Sequence, residues 1–204
     1  MAIQRIAADV VLLPSTEVMD ACIRLNQDLL KGGESRIVLN TSDCVPHISL
    51  AMGCLKEEDL PAVECLLTEI ASAVPPLRFP ISGLGVGRAS TGESLLSLVI
   101  EPTRQLQSLH ETIMKRIAPY MTCDATPEMF VDPHATRASS AQWVNNYPKA
   151  ASFAHFSPHI TIGIGRLEAS ESLPTHCPTS RLALCHLGHD CTCRRVLFET
   201  GLGG

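Results

Sequence analysis

Pro46-His47-Ile48-Ser49-Leu50 and Pro158-His159-Ile160-Thr161-Ile162 write one pattern twice, once in each half of the chain. In both, an imidazole and a hydroxyl stand two positions apart, with isoleucine between them and an aliphatic residue after. Such alternation predicts a strand. Successive side chains of a strand point to opposite faces, so His47 and Ser49 share one face while Ile48 and Leu50 bury the other. His159 and Thr161 share a face in the same way, backed by Ile160 and Ile162. Pro46 and Pro158 have no N–H to give a ladder and suit the first position of each strand.

Working outward from the first copy, Ile3 to Leu13 is rich in aliphatic and β-branched residues, stops at Pro14 and predicts a strand. Ser15 or Thr16 can cap the helix that follows, whose apolar stripe is Val18, Met19, Cys22, Ile23, Leu25, Leu29 and Leu30 and whose end is Gly32-Gly33. Ile37 to Leu39 reads as a short extended piece and Asn40 to Asp43 as a turn into the motif. A second helix opens at Lys56 to Asp59, carries Leu60, Val63, Leu66, Leu67, Ile70 and Val74, and cannot pass Pro75-Pro76. Leu77 to Val86 and Ser94 to Ile100 predict a hairpin joined by Gly87 to Gly92. The run Gly83-Leu84-Gly85-Val86-Gly87 lacks the Lys-Ser/Thr ending of a phosphate loop and reads as a glycine-relaxed strand.

Pro102-Thr103 starts a third helix with Leu106, Leu109, Ile113, Met114 and Ile117 on one stripe and His110 beside it. Tyr120 to Phe156, with three prolines and Asn145-Asn146, is expected to be a long connection. Its aromatics Trp143, Tyr147, Phe153 and Phe156 suit stacking on a base or anchoring the loop. After the second motif, a polar linker is expected from Glu168 to Thr179. Arg181 to Leu187 and Arg194 to Thr200 then form a closing hairpin that turns at Gly188 to Cys193.

The chain has 204 residues, 45% hydrophobic and 18% charged, which is the composition of one globular domain spanning residues 1–204 rather than of a disordered chain. A net charge of −5 argues against binding that rests on a broad basic surface, and favours an RNA end or a small nucleotide over a long duplex. The nine cysteines are odd in number and sit mostly in apolar stretches, so a disulfide scaffold is not expected and reduced thiols are. The N-terminal stretch shows no signal-peptide pattern, and no apolar run approaches the roughly 18 residues of a membrane span. The expected location is cytoplasmic, the expected state a monomer with no protein partner.

Two imidazoles and two hydroxyls converging on one small volume equip a site for phosphodiester chemistry. One histidine removes a proton from the attacking hydroxyl or water and the other protonates the departing oxygen. Ser49 and Thr161 can donate to the phosphate oxygens, and neither metal nor cofactor is needed. The paired motifs His47-Ile48-Ser49-Leu50 and His159-Ile160-Thr161-Ile162 resemble those of the two-histidine phosphoesterase superfamily. That superfamily includes the bacterial 2',5' RNA ligase-like proteins and the cyclic phosphodiesterases of tRNA splicing. The resemblance implies an α+β, bilobal fold, with two pseudo-symmetric lobes of mainly antiparallel sheet, helices outside and the motifs in a central cleft. It implies hydrolysis of 2',3'-cyclic phosphates, or the making and breaking of 2',5' linkages, with His47 and His159 catalytic and Ser49 and Thr161 on the phosphate.

Three other readings arise from the residues. His176, Cys177, Cys185, His186, His189, Cys191 and Cys193 are zinc ligands by type, but their spacing gives no pair of Cys-x-x-Cys knuckles. Cys44, three positions before His47, would face away from it on a continuous strand, which weakens a cysteine nucleophile. The same cleft could also hold a nucleotide or RNA end without catalysis.

Overall fold

The computed structural model of the chain describes residues 4–33, 35–89, 91–167 and 173–203. The aliphatic run becomes β1 (Arg5–Pro14), buried along nearly its whole length, and Ser15 then takes the N-cap position of α1 (Thr16–Lys31). The first motif leads into β2 (Ile48–Lys56), with His47 immediately before the strand. A short 3-10 turn precedes α2 (Leu60–Ser72), whose first turn accommodates Pro61. The expected hairpin is β3 (Leu77–Arg88) and β4 (Ser94–Ile100). Thr103 caps α3 (Arg104–Ile117), its side chain accepting from the Leu106 N–H at 3.2 Å.

The long connection is corrected at this point, because it contains α4 (Ala138–Ala150). Its buried face, Ser140, Ala141, Val144 and Tyr147, has helical spacing. Pro148 in the last turn and the Asn145-Asn146 pair masked it, and both are tolerated for local reasons. Pro148 lies where the helix is ending, and Asn145 grips the loop outside by accepting from the Ala125 N–H at 2.6 Å and donating to its carbonyl at 3.1 Å. The second motif opens β5 (His159–Ile164), followed by β6 (His176–Leu187) and β7 (Cys193–Gly201). β6 replaces the end of the expected linker; residues 168–172 of that linker lie outside the described residues. Ile37 to Leu39 joins no strand.

The seven strands pair antiparallel throughout in the order β2-β1-β6-β3-β4-β5, with β7 also on β6. β6 divides one of its edges between two partners: His176 to Thr179 pair with β3, and Arg181 to Leu187 with β7. β3 pairs with β6 through Leu77 to Pro80 and then departs along β4. The result is an α+β structure of two lobes, β2-β1-β6-β7 and β3-β4-β5, with a motif at the outer strand of each. The helices are exchanged. α1, which follows β1, packs on β5, whereas α3 and α4 pack on β2.

The lobes repeat one another in register. Val11 opposes Ser49 and Val10 opposes Ala51, so Leu50 is an extra, bulged residue; Ser97 opposes Thr161 and Leu96 opposes Gly163, so Ile162 is its counterpart. A bulge leaves a residue outside the ladder, and its buried carbonyl needs another partner. Each receives one from a helix that follows a strand of the other lobe. Asn26 on α1 donates to the Ile162 carbonyl at 2.7 Å while also holding the Ile37 carbonyl and the Leu39 N–H, each at 2.9 Å. His110 on α3 has Nδ1 at 2.8 Å from the Leu50 carbonyl, and its Nε2 accepts from the Phe153 N–H at 2.8 Å. Both side chains are fully buried. Close approach of α1 also favours Gly163, where a Cβ would stand 2.8 Å from Leu29 Cδ2.

The main core runs through both lobes and includes Phe79, Leu12, Ile48, Leu50, Leu98 and Ile113. A smaller cluster, Val11, Leu13, Met19, Val45 and Ala183, surrounds a disulfide between Cys185 and Cys193. The expectation of reduced thiols is corrected here. The β6–β7 ladder brings the two Cα atoms to 5.5 Å, within bridging distance. Among the described residues, no helix is long and apolar enough to cross a membrane.

His110→Leu orphans two buried main-chain groups and is expected to destabilise the fold by about 2–6 kcal/mol in chemical denaturation, at ~1–3 kcal/mol for each group. Acid should act on the same bonds. Burial depresses the pKa of His47, His110 and His186, so their stabilising neutral forms are complete above the ordinary value of 6.5 and lost as pH falls through the lower folded values. Asp9, which burial drives toward its protonated form, offsets one of those three protons. The denaturation midpoint is therefore expected to be flat from about pH 8 to 7 and to fall below about 6.5, less steeply in His110→Gln.

Candidate active site

Each motif histidine is set by the proline before it. With Pro46 and Pro158 holding the chain extended, His47 Nδ1 meets the Val45 carbonyl at 2.7 Å and His159 Nδ1 meets the Ser157 carbonyl at 2.8 Å. In the neutral ring Nδ1 is then the donor and Nε2 keeps its lone pair, so both histidines offer the same nitrogen for chemistry. Val45 is itself anchored, its N–H donating to the Cys193 carbonyl at 3.0 Å beside the disulfide.

His47, Ser49, His159 and Thr161 line one cavity of about 400 Å³ between the lobes. The four residues singled out in the sequence thus come together. The bulge after Ser49 also brings Met52 to this wall, and the matching bulge brings Ile164. His47 is half-buried, and desolvation of its ring followed by the charge of nearby His159 lowers its pKa, whereas the Val45 carbonyl acts in the opposite sense.

Much of the remaining wall is apolar, formed by Leu39, Val86, Leu95, Trp143 and Phe156 among others, and Arg88 supplies a cationic side chain at its edge. The aromatics differ in their surroundings. Phe156 is an anchor, stacked on His110 with ring centroids 3.9 Å apart and planes at 2°. Trp143, half-buried on α4, faces the cavity. Phe153 has a φ of 53° and receives its main-chain support from His110.

The turn between β6 and β7 forms another part of the rim. Asp190 and Cys191 have φ of 55° and 56°, the left-handed region, and both line the cavity. The conformation is held from two sides. Arg36 binds Asp190 through Nε and Nη2, both at 2.7 Å, and reaches Glu93 at 2.8 and 2.9 Å; Ser140 Oγ accepts from the Asp190 N–H at 3.2 Å. Arg36 therefore joins the β6–β7 turn to the β3–β4 turn across the two lobes.

The other sequence candidates do not enter the site as chemistry. Cys44 lines the cavity, yet burial pushes its thiol up to about 11, far from the thiolate a nucleophile requires. The C-terminal cysteines and histidines scatter: Cys185 and Cys193 are bonded to each other, His186 Nε2 lies 2.9 Å from the Met129 carbonyl, and Cys177 sits in the core. Among the described residues, no three His, Cys, Asp or Glu side chains gather as a metal site.

Sequence reasoning missed Asp9. This fully buried carboxylate on β1 has one oxygen 3.9 Å from His47 Nε2, and among the described residues neither oxygen has a hydrogen-bond partner. Burial drives its pKa well up, against the smaller pull of Ser49 and the Ala51 and Leu50 N–H groups nearby. A lone acid in a strand of otherwise apolar or terminal positions was the available signal. Asn26 and His110 were equally visible as polar residues within or beside apolar helix stripes.

Comparison with known proteins bears on this arrangement. A family model described as the 2'-5' RNA ligase superfamily matches residues 40–178, which include both motifs. TT0787 of Thermus thermophilus superposes with a TM-score of 0.61 at 18% identity, covering 98% of this chain and 99% of that one. E. coli LigT complexed with 3'-AMP gives 0.60 at 15% identity over 98% and 99% of the two chains. LigT complexed with ATP gives 0.57 at 15%, over 98% and 100%. At these identities the structural likeness speaks for the fold. No curated protein matches the sequence. With more than half its length under the family model and both motifs inside the matched region, the chain belongs to the 2'-5' RNA ligase superfamily.

Proposed function

We propose that this protein is a metal-independent phosphodiesterase that hydrolyses 2',3'-cyclic phosphates of small nucleotides or RNA ends, with His47 and His159 as the proton carriers. The observation that carries this reading is the paired presentation of Nε2 atoms, each ring fixed through Nδ1 to the carbonyl two residues before it, at one cavity that also holds Ser49 and Thr161. One Nε2 takes the proton of an attacking water and the other returns a proton to the ribose oxygen as its bond to phosphorus breaks. Ser49 and Thr161 donate to the non-bridging oxygens, where negative charge grows. Run backward with a ribose hydroxyl in place of water, the same groups make a 2',5' linkage.

Substrate size follows from the walls. An apolar cavity with Trp143 on one side suits a nucleobase, and the 400 Å³ available suits one nucleoside more than a folded RNA. LigT was crystallised with 3'-AMP and with ATP, ligands of that size.

Purified protein treated with a chelator is expected to open 2',3'-cyclic nucleotides, and strict dependence on a divalent metal would overturn the mechanism. His47→Ala and His159→Ala should each lower kcat by about 100-fold or more, as expected for loss of a proton carrier, with the fold intact by circular dichroism. Ser49→Ala and Thr161→Ala each remove one donor and should lower kcat/KM by about tenfold, in line with the ~1–1.5 kcal/mol of a single hydrogen bond.

A further inference from the structure

The matching registers of the two lobes provide an internal control. Asp9 opposes Met52, the fifth residue after His47; in the other lobe Leu95 opposes Ile164, the fifth residue after His159. Leu95 is therefore the counterpart of Asp9. The chain repeats its motifs, bulges and ring-fixing carbonyls, yet it breaks the repeat behind one histidine by burying an acid where the other lobe has a leucine.

An acid in that position is unfavourable for folding alone. It is fully buried and both oxygens lack hydrogen bonds among the described residues, whereas the counterpart position of the other lobe carries an apolar leucine. The groups facing it are His47 just before β2, Ser49 on β2, Tyr147 from α4, Cys191 from the β6–β7 turn and, across the ladder on β6, the disulfide-bonded Cys185. Among these only His47 exchanges protons in the neutral range, and its reacting nitrogen is the one 3.9 Å away.

Resting on the phosphodiesterase reading above, we propose that Asp9 keeps a proton available to His47, making His47 the general acid and leaving His159 to act as the general base. Desolvation disfavours charge on either group, raising the carboxyl and lowering the imidazole, so the pair 3.9 Å apart carries no net charge while it holds one proton. The anionic phosphodiester draws that proton onto His47 Nε2. His159 takes a proton from water as the water oxygen bonds to phosphorus. The bond from phosphorus to one ribose oxygen breaks, and that oxygen receives the proton from His47. The step ends with His159 protonated and His47 neutral beside ionised Asp9; exchange through solvent returns one proton to the pair. Asp9 touches no substrate and acts through His47, as a positioning residue for its proton.

The test compares two substrates that differ in their need for an acid. A 2',3'-cyclic nucleotide expels a ribose alkoxide, which must be protonated, whereas a nucleoside 3'-(4-nitrophenyl) phosphate expels nitrophenolate, which need not be. Asp9→Asn is expected to lower kcat/KM on the cyclic nucleotide by about 30-fold and on the aryl ester by no more than about threefold. The alkaline limb of its pH profile on the cyclic nucleotide should move to lower pH by about one unit, because His47 then holds its proton against burial unaided. Asp9→Leu, which copies the counterpart residue, should show the same discrimination with thermal stability equal to or above that of the wild type. Equal losses on the two substrates, or none, in both variants would overturn the role of Asp9 while leaving the hydrolase standing. A wild type inert on both substrates overturns the hydrolase reading and this proposal together.

Discussion

The site depends on how two bulged carbonyls are satisfied. Strict alternation after His47 and His159 would continue each strand as an ordinary edge, and it is the extra residue at Leu50 and Ile162 that turns the strand while keeping imidazole, hydroxyl and the next wall residue on one cavity. The cost of each bulge is a main-chain oxygen without a ladder bond, and Asn26 and His110 remove that cost from helices that follow the other motif's partner strand. The position of one motif is thereby fixed by an element from the other half of the chain. His110 goes further, since its stacking on Phe156 secures the segment that runs directly into His159.

What could be read in the sequence was whatever has a period. Strands and helices with clean apolar stripes were legible, and so were the four motif residues, because a repeated pattern needs no register to be recognised. The bulges were not, since Leu50-Ala51 and Ile162-Gly163 simply continue apolar runs. α4 was hidden by residues that weaken helices locally, Pro148 and two asparagines, although tertiary packing of Val144 and Tyr147 holds it. Asp9 was visible as an anomaly in β1, but only the β1–β2 register places it beside His47, and register is a property of the assembled sheet. The Cys185–Cys193 bond escaped for a similar reason: the odd number of cysteines in the whole chain says nothing about two that a hairpin sets side by side.

The charge of the molecule and the charge of its cleft agree. Three acidic side chains, Asp9, Asp190 and Glu93, stand in or around the site, the latter two both paired with Arg36, and Arg88 stands on the cavity wall. A surface built to follow a polyanion would array many cations along a groove. Among the described residues, no such array lines this cavity.

The placement of β6 in the middle of the sheet has a consequence for how the chain is made. β1 emerges early in synthesis, but its Ala8 to Pro14 edge pairs with residues 179–186, and the first residues of β3 also close on β6. Until β6 appears, an apolar strand lies open along one side, with every ladder group on that side unpaired. The lobe built on β1 cannot be completed on the ribosome before β6 has left it, and a fragment ending before β6 would present the adhesive edge that the finished molecule conceals.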